Sequence, residues 1–463
     1  MKNFFALNKI PHIDISIAEE RKQWLKEFLK VFIVIFVVYA TMYLIRNNFK
    51  AAGPLLIKQM GFTTTQLGVI GVAFSFTYAI GKTLLGYVID GRNAKRIISF
   101  LLVLASIVVA IMGIILLETG KYTAFLLILW GLNGFLQAPG GPGSYSTVSR
   151  WTPNKQRGRW LGIWNVSHNI GGAMAGVLAL WGANVFFHGN VAGMFIVPAV
   201  IACAVGVIGM FVGKDDPEEL GWDDAATIWG EPENEEDLEA DKMSKGEIFK
   251  KFVLKNPMVW ILAVANVFVY IVRIGIDNWV PVYSSQVLGF TDSQSVQTLF
   301  YFEMGAIVGS LSWGFISDWL NGRRMATALI SVVLEFGAIY AYSVVHTPWA
   351  LYATLAVLGW LVFGPQLLIG VSVIGFVPKA AASVTNGIVG TFAYLFGDSM
   401  AKVGLGLIAD PSKQGINFLG MHLHGWAATF GVFYVALAIA MILMVIVAIA
   451  EERRIKNNQI EAS

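Results

Sequence analysis

The sequence predicts an all-α membrane protein with twelve transmembrane helices in two pseudo-symmetric six-helix halves. Three observations predict it. Of 463 residues, 56% are hydrophobic and only 14% charged, with mean hydropathy +0.64; a soluble chain carries about 25% charged residues. Twelve apolar segments each approach the roughly 20 residues that a bilayer crossing needs. The chain also repeats itself. Tyr39, Tyr43, Arg46 and Lys50 are spaced 4, 3 and 4, and Asn266, Tyr270, Arg273 and Asp277 repeat that spacing with the arginines offset by 227 residues. Gly86-x-x-x-Asp90-x-x-x-Ala94-Lys95-Arg96 matches Gly314-x-x-x-Asp318-x-x-x-Gly322-Arg323-Arg324 at an offset of 228. Two features with one period argue for an internal duplication.

The elements follow in order. Residues 1–26 form a polar N-terminal segment, with Arg21, Lys22 and Lys26. No short apolar core with a small-residue cleavage site precedes the first span, which therefore acts as its own insertion signal. The first half, 27–213, gives spans at 27–51, 66–89, 97–118, 123–147, 158–186 and 191–213. Residues 214–256 form an acidic linker around Glu235-Glu236-Asp237, ending in a basic, helix-compatible piece from Lys245 to Lys255. Charged linkers self-repel and extend, so this one is expected to be a solvated tether. The second half, 257–450, gives spans at 257–282, 296–317, 325–345, 349–377, 384–408 and 425–450, and 451–463 is a tail.

Lysine and arginine in short loops set orientation. Arg92, Lys95, Arg96, Arg150, Lys155, Arg157, Arg159, Arg323, Arg324 and Lys379 fall on one side, against Lys58, Lys121 and Lys413 on the other. Both termini and the linker are therefore expected in the cytoplasm. Arg46 lies 16 residues past Lys30 and Arg273 lies 18 past Lys255. At ~1.5 Å per residue that places them ~24 and ~27 Å from the cytoplasmic flank, at matching depths near the bilayer middle.

A cation at such depth costs roughly 2.5–3.5 kcal/mol on insertion scales and marks a substrate or ion path. Arg46 has no acid within its span, whereas Asp277 stands one turn from Arg273. Burial with a carboxylate partner is the structural alternative for Arg273; the repeat favours a shared anion-binding task. Arginine suits phosphate because its planar fork makes bidentate, charge-assisted bonds and stays charged. Tyr39, Tyr43, Lys50, Asn266, Tyr270 and Asp277 share the arginines' helix faces and are expected to line a cavity. Span 2 adds Tyr78 and Lys82, span 5 Trp164, Asn165, His168 and Asn169, and span 11 Asn386 and Tyr394. His168 is either a packing residue or one that follows the ligand's protonation, since a phosphate monoester's second pKa is near 6. Lys82 and Glu303, in the second spans of their halves, are a candidate gating pair. Asp398 and Lys402, four apart, either gate or neutralise each other. Asp90, Arg96, Asp318, Arg323 and Arg324 are expected to form latches between neighbouring helices.

The two Gly-x-x-x-Asp…Arg loops resemble the signature loop of the major facilitator superfamily. Within it, Tyr43-Leu-Ile-Arg46-Asn-Asn-Phe, Trp164-Asn-Val-Ser-His168-Asn-Ile-Gly-Gly and Tyr270-Ile-Val-Arg273-Ile-Gly resemble the organophosphate:phosphate antiporter family. The similarity extends from about residue 20 to 452. Gly364-Pro-Gln-Leu-Leu-Ile-Gly370, Gly375-Phe-Val-Pro-Lys379 and Gly390-Thr-Phe-Ala-Tyr-Leu-Phe-Gly-Asp398 are most similar to its hexose-phosphate branch. The resemblance implies exchange of a sugar phosphate for inorganic phosphate, with Arg46, Arg273, Lys82 and His168 at the family's phosphate-binding positions. It also implies a bacterial cytoplasmic membrane. Where that branch has an acid and a lysine three apart early in span 11, this chain has Asn386 and Val389, which leaves the ester open between hexose phosphate, glycerol 3-phosphate and phosphoglycerate.

A non-transporting sugar-phosphate sensor on the same scaffold is a further reading, though no soluble signalling domain is seen. No metal-ligand cluster or nucleophile–base motif points to an enzyme. No cofactor and no nucleic acid are expected, and the chain is expected to work as a monomer among membrane lipids. Cys203 is the single cysteine, so no intrachain disulfide forms.

Overall fold

The computed structural model describes residues 4–13, 15–89, 91–118, 122–230, 247, 249–377, 379–418 and 421–461. Asp90, Lys121, the Glu235-Glu236-Asp237 run and Lys245 lie outside the described residues. Two compact units form: Met1–Gly61 with Ala73–Glu233, and Phe62–Val72 with Asn234–Ser463.

The first unit holds α1 (Ile17–Ala51), α2 (Gly53–Met60), most of α3 (Thr64–Ile89), α4 (Ala94–Leu117), α5 (Thr123–Gln137), α6 (Gly140–Trp151), α7 (Asn154–Phe187), α8 (Gly193–Phe211) and the short α9 (Ala225–Trp229). The second holds α10 (Pro257–Gln286), α11 (Asp292–Trp319), α12 (Arg324–Val344), α13 (Pro348–Gly375), α14 (Lys379–Phe392), α15 (Leu405–Ile408) and α16 (Gly425–Glu461). Among the described residues ten helices are long and apolar enough to cross a membrane, α5 and α6 counting as one. The expected second span is α3, and the eleventh is α14 and α15 joined by π-helical turns at Ala393–Asp398 and Met400–Gly404.

Small residues set the helix contacts, as they do where apolar burial gives no preference for protein over lipid. A Cβ on Gly171 of α7 would stand 2.0 Å from the Ala40 carbonyl oxygen of α1. In the second unit a Cβ on Gly359 of α13 would stand 1.9 Å from the Phe302 carbonyl oxygen of α11. Thr64 at the start of α3 donates from Oγ1 to the Gly406 carbonyl at 2.8 Å, and Thr65 N–H reaches Asp410 Oδ2 at 3.4 Å.

The expectation of a solvated tether fails for the start of the linker. Asp215 is fully buried. Its carboxylate accepts from Ala94 N–H at 2.9 Å, Lys95 N–H at 3.1 Å and Thr147 Oγ1 at 2.6 Å, and pairs with Arg150. The cause is local: the first N–H groups of α4 have no intrahelical acceptor, and a carboxylate satisfies both their hydrogen bonds and the positive end of the helix dipole. Asn93 caps the same helix through Arg96 N–H at 2.9 Å. Lys95 Nζ in turn reaches the Met210, Val212 and Gly213 carbonyls at 3.2, 2.8 and 2.9 Å.

The N-terminal segment docks there too. Ala6 bridges Arg92, Asn93 N–H donates to Phe5 O at 2.9 Å, and Ile10 N–H and Ile13 N–H donate to Glu218 O and Gly221 O. Helix α1 starts at Ile17, ahead of the expected first span, with Ser16 capping Glu19 N–H. The basic piece before the second half is a π-helical turn, Phe249–Leu254.

Candidate functional site

In the first unit the site is built around Arg46. Helical backbone angles break one residue earlier, at Ile45 (φ −94°, ψ 15°). A break of this kind releases a carbonyl from the helix ladder, which then needs another donor. Asn133 Nδ2 of α5 supplies it, donating to Ile45 O at 3.1 Å. One turn on, Gln137 Nε2 donates to Asn133 Oδ1 at 2.8 Å, while Gln137 Oε1 accepts from Arg46 Nε at 3.2 Å. Both amides are fully buried. The kink and the guanidinium are therefore held by one polar chain on α5.

Three aromatic rings surround the guanidinium: Arg46 Cζ lies 4.3 Å from the Tyr43 ring centroid, 4.7 Å from Tyr78 and 4.9 Å from Phe74. Each desolvated cation–π contact is worth about 1–2 kcal/mol and engages the face of the guanidinium rather than its N–H edge. Tyr78 hydrogen-bonds with both Arg46 and Tyr39 and senses the charge of Lys82, whose side chain is exposed. Tyr39 leads on to span 5, its ring 4.5 Å from Trp164, and Tyr43 lies 5.3 Å from His168. Tyr145 also meets Trp164, edge to face at 5.1 Å. His168 Nδ1 is turned to the Asn165 carbonyl, which can only accept, so Nδ1 carries the proton. Trp164 Nε1 is buried and meets no acceptor among the described residues. Asn165 and Lys50 are half-buried and Asn169 is fully buried.

The second unit builds a related device on Arg273. Its Cζ lies 4.5 Å from the Phe363 ring and 5.6 Å from Tyr270. Tyr270 meets Tyr394 at 5.5 Å. Tyr270, Tyr394, Asp277 and Glu303 all act electrostatically on the guanidinium, and both carboxylates are buried. Arg273 Nε is buried and meets no hydrogen-bond acceptor among the described residues. The two arginines thus differ: two buried carboxylates act on Arg273 through their charge, whereas a neutral amide and aromatic rings hold Arg46.

Segment 393–404 approaches α10 closely. A Cβ on Gly397 would stand 2.6 Å from Val267 O, and Trp279 Nε1 donates to Ala401 O at 2.8 Å. Asn266 is bound to α14, its Nδ2 donating to Val389 O at 3.3 Å. Asp398 and Lys402 form an ion pair of 3.0 Å, so they neutralise each other within the unit. Asn386 is exposed on α14.

Four of the five residues expected to act as latches are described, and each makes a specific contact. Arg323 makes a forked pair with Glu452 at 2.8 and 3.3 Å, and Arg324 stands 3.9 Å from Asp318. Arg96 donates to Phe4 O at 3.1 Å.

Sequence reasoning missed Asn133, Gln137, Phe74, Tyr145 and Phe363. The amides had a detectable signal, an i, i+4 polar pair inside an apolar span. Phe74 and Phe363 stand among other apolar residues and had none, and Tyr145, in a Gly- and Ser-rich stretch, carried no periodic pattern.

The model of the Major Facilitator Superfamily matches residues 32–400. The chain belongs to that superfamily. It is 46% identical over 462 residues to the hexose-6-phosphate:phosphate antiporter of Escherichia coli (strain K12), covering 98% of this chain and 97% of that protein. It is 32% identical over 376 residues to the glycerol-3-phosphate transporter of Bacillus subtilis (strain 168), covering 80% and 84%. Among solved structures, a bacterial homologue of the human lysosomal transporter Spinster matches with TM-score 0.65 at 18% identity, covering 90% of this chain and 95% of that one, which speaks to the fold. Superfamily membership and the ten spanning-length helices among the described residues make this a multi-pass transporter fold, consistent with the twelve spans expected.

Proposed function

We propose that this major facilitator protein is a secondary antiporter that imports hexose 6-phosphate in exchange for inorganic phosphate. The observation that carries the chemistry is the aromatic-caged arginine in each unit, Arg46 and Arg273, at equivalent places in the repeat. The rings hold each guanidinium through its faces, and Arg273 Nε is a buried donor with no acceptor among the described residues. The match to the hexose-6-phosphate:phosphate antiporter across nearly the whole chain supports the substrate class.

In the proposed cycle the six-helix halves rock about a midplane site that opens to one side at a time. Arg46 and Arg273 clamp the phosphate from opposite halves. His168, Lys82 and the tyrosines complete the anion site, while Trp164, Asn165 and the exposed face of α14 at Asn386 meet the sugar. Without an anion, two guanidiniums closing to ~10 Å repel by roughly 1.7 kcal/mol at an effective dielectric of ~20. A bound phosphate reverses the sign, so only the loaded carrier reorients well, and transport becomes exchange. The outward phosphate gradient then drives uptake with no cofactor and no catalytic step. Lys82 with Glu303 is proposed as a gating pair, and Asp90, Arg96, Asp318, Arg323 and Arg324 as latches. On the same reading the protein works as a monomer in a bacterial cytoplasmic membrane with both termini inside.

The test is efflux of labelled phosphate from proteoliposomes holding the purified protein. External glucose 6-phosphate, glycerol 3-phosphate and free glucose are compared at equal concentration. Efflux on glucose 6-phosphate and none on glucose is expected. A preference for glycerol 3-phosphate would overturn the hexose assignment and direct attention to Asn386 and Val389. Saturable binding without efflux for any ester would replace transport by sensing.

A further inference from the structure

Away from the arginines, three segments far apart in sequence bring three metal-ligating side chains together. His12 belongs to the N-terminal segment, Glu20 to the first turn of α1, and Asp223 to the stretch before α9. One donor atom of each lies within 4.8 Å of the others. His12 Nδ1 is 3.6 Å from Asp223 Oδ1, and Asp223 N–H donates to Glu20 Oε1 at 3.2 Å. All three belong to the first unit.

Glu20 is the residue that needs explaining. It is 0% exposed, and its second oxygen, Oε2, is buried with no hydrogen-bond partner among the described residues. A buried carboxylate oxygen without a donor is costly, and a second carboxylate beside it adds repulsion. Arg21, next in sequence, turns Nε to the Ile228 carbonyl instead. His12 is half-exposed, and its contact with Asp223 is an ion pair only when the imidazole is charged. A buried charge is stabilised by pairing or by coordinating a metal, and a compact multivalent cation would offset both carboxylates.

We propose that His12, Glu20 and Asp223 bind a divalent first-row transition cation, with water completing its shell. One imidazole nitrogen with two carboxylates suits zinc or manganese; calcium and magnesium take oxygen ligands throughout. Bonds of about 2.0–2.2 Å in a tetrahedron set the donors about 3.3 Å apart. The His12–Asp223 separation is already near that value, and the exposed imidazole has room to close the rest. The bound cation joins the N-terminal segment, α1 and the stretch following α8, which the Ile10–Glu218 and Ile13–Gly221 backbone bonds already bring side by side. The spacing of the three residues, 8 and then 203 positions, carries no sequence signature.

The test uses the full-length protein without a histidine tag, purified in detergent and stripped with a chelator. Zn²⁺ is titrated calorimetrically, and Co²⁺ is followed by its visible absorption. One equivalent is expected to bind, weakened at least tenfold in both H12Q and D223N and unchanged in an H422A/H424A control. Saturating Zn²⁺ is expected to raise the Tm of the parent and not of H12Q. Because Glu20 is buried, E20Q risks misfolding; His12 is exposed, so H12Q, checked for an unchanged size-exclusion profile, decides the question on folded protein. Zn²⁺ binding equal in H12Q and the parent, binding lost only in the H422A/H424A control, or no bound equivalent at all would each overturn the site.

Discussion

Arg46 Nε donates to Gln137 Oε1 across 3.2 Å, and this bond joins the proposed phosphate ligand to the amide chain that also fills the α1 kink. Gln137 is neutral, so it orients the guanidinium without cancelling its charge. Gln137→Glu is expected to pair with Arg46 and compete with phosphate, lowering exchange at least tenfold with the larger effect on KM. Gln137→Leu keeps the charge and loses the orientation, and should cost less. Initial rates of exchange across a phosphate series check the order. Equal rates in parent and Q137E would sink the positioning role.

The two guanidiniums are proposed to work as forks, which a lysine ammonium cannot reproduce. Arg46→Lys and Arg273→Lys are each expected to reach the membrane, melt near the parent and exchange at least a hundredfold more slowly. Arg273→Lys has an added burden. Asp277 and Glu303 act on that position electrostatically, and a more compact ammonium is drawn to them more readily than a guanidinium held over Phe363. Exchange by R46K at the parent rate would remove the clamp.

The sequence shows this much of the site for a physical reason. A charge inside an apolar span is conspicuous, and a spacing of 4, 3 and 4 places Tyr39, Tyr43, Arg46 and Lys50 on one helix face. The supports of that charge are not conspicuous. Asn133 and Gln137 act on residues about ninety positions away, and Phe74 looks like any other lipid-compatible residue until it faces Arg46. The linker misled for a related reason. Its acidic composition reads as solvated, yet Asp215 is buried because the N–H groups of α4 need an acceptor, a demand visible only once both are in place.

Asp410 gives a pH-dependent tie between the loop after α15 and the start of α3. Burial alone would push its carboxyl up, but hydrogen bonds from Ser412, Thr65 and Thr63 outweigh it and hold it down to about 2. A depressed folded-state value means that the ionised form stabilises. The contribution is full above the ordinary carboxylate value near 3.9 and is lost as pH falls through about 2. Asp410→Asn should therefore lower Tm at pH 7, and the gap from the parent should narrow as pH falls from 5 towards 3. A gap that stays constant over that range would show that the charge contributes nothing there.

Asp398 and Lys402 distinguish a structural pair from a working one. They sit 3.0 Å apart within the π-helical stretch, and Asp398 is 2% exposed. Removing one member of such a pair strands a buried charge, at a cost of about 3–5 kcal/mol, whereas removing both with similar volume is often neutral. Asp398→Asn and Lys402→Met alone are expected to reduce the folded yield severely, and the double variant to restore both yield and exchange. If the pair gates, the double variant will fold and still fail to exchange. Yield by fluorescence size exclusion and phosphate efflux from the same preparations separate these outcomes, and neutralisation within the unit predicts that the two readings recover together.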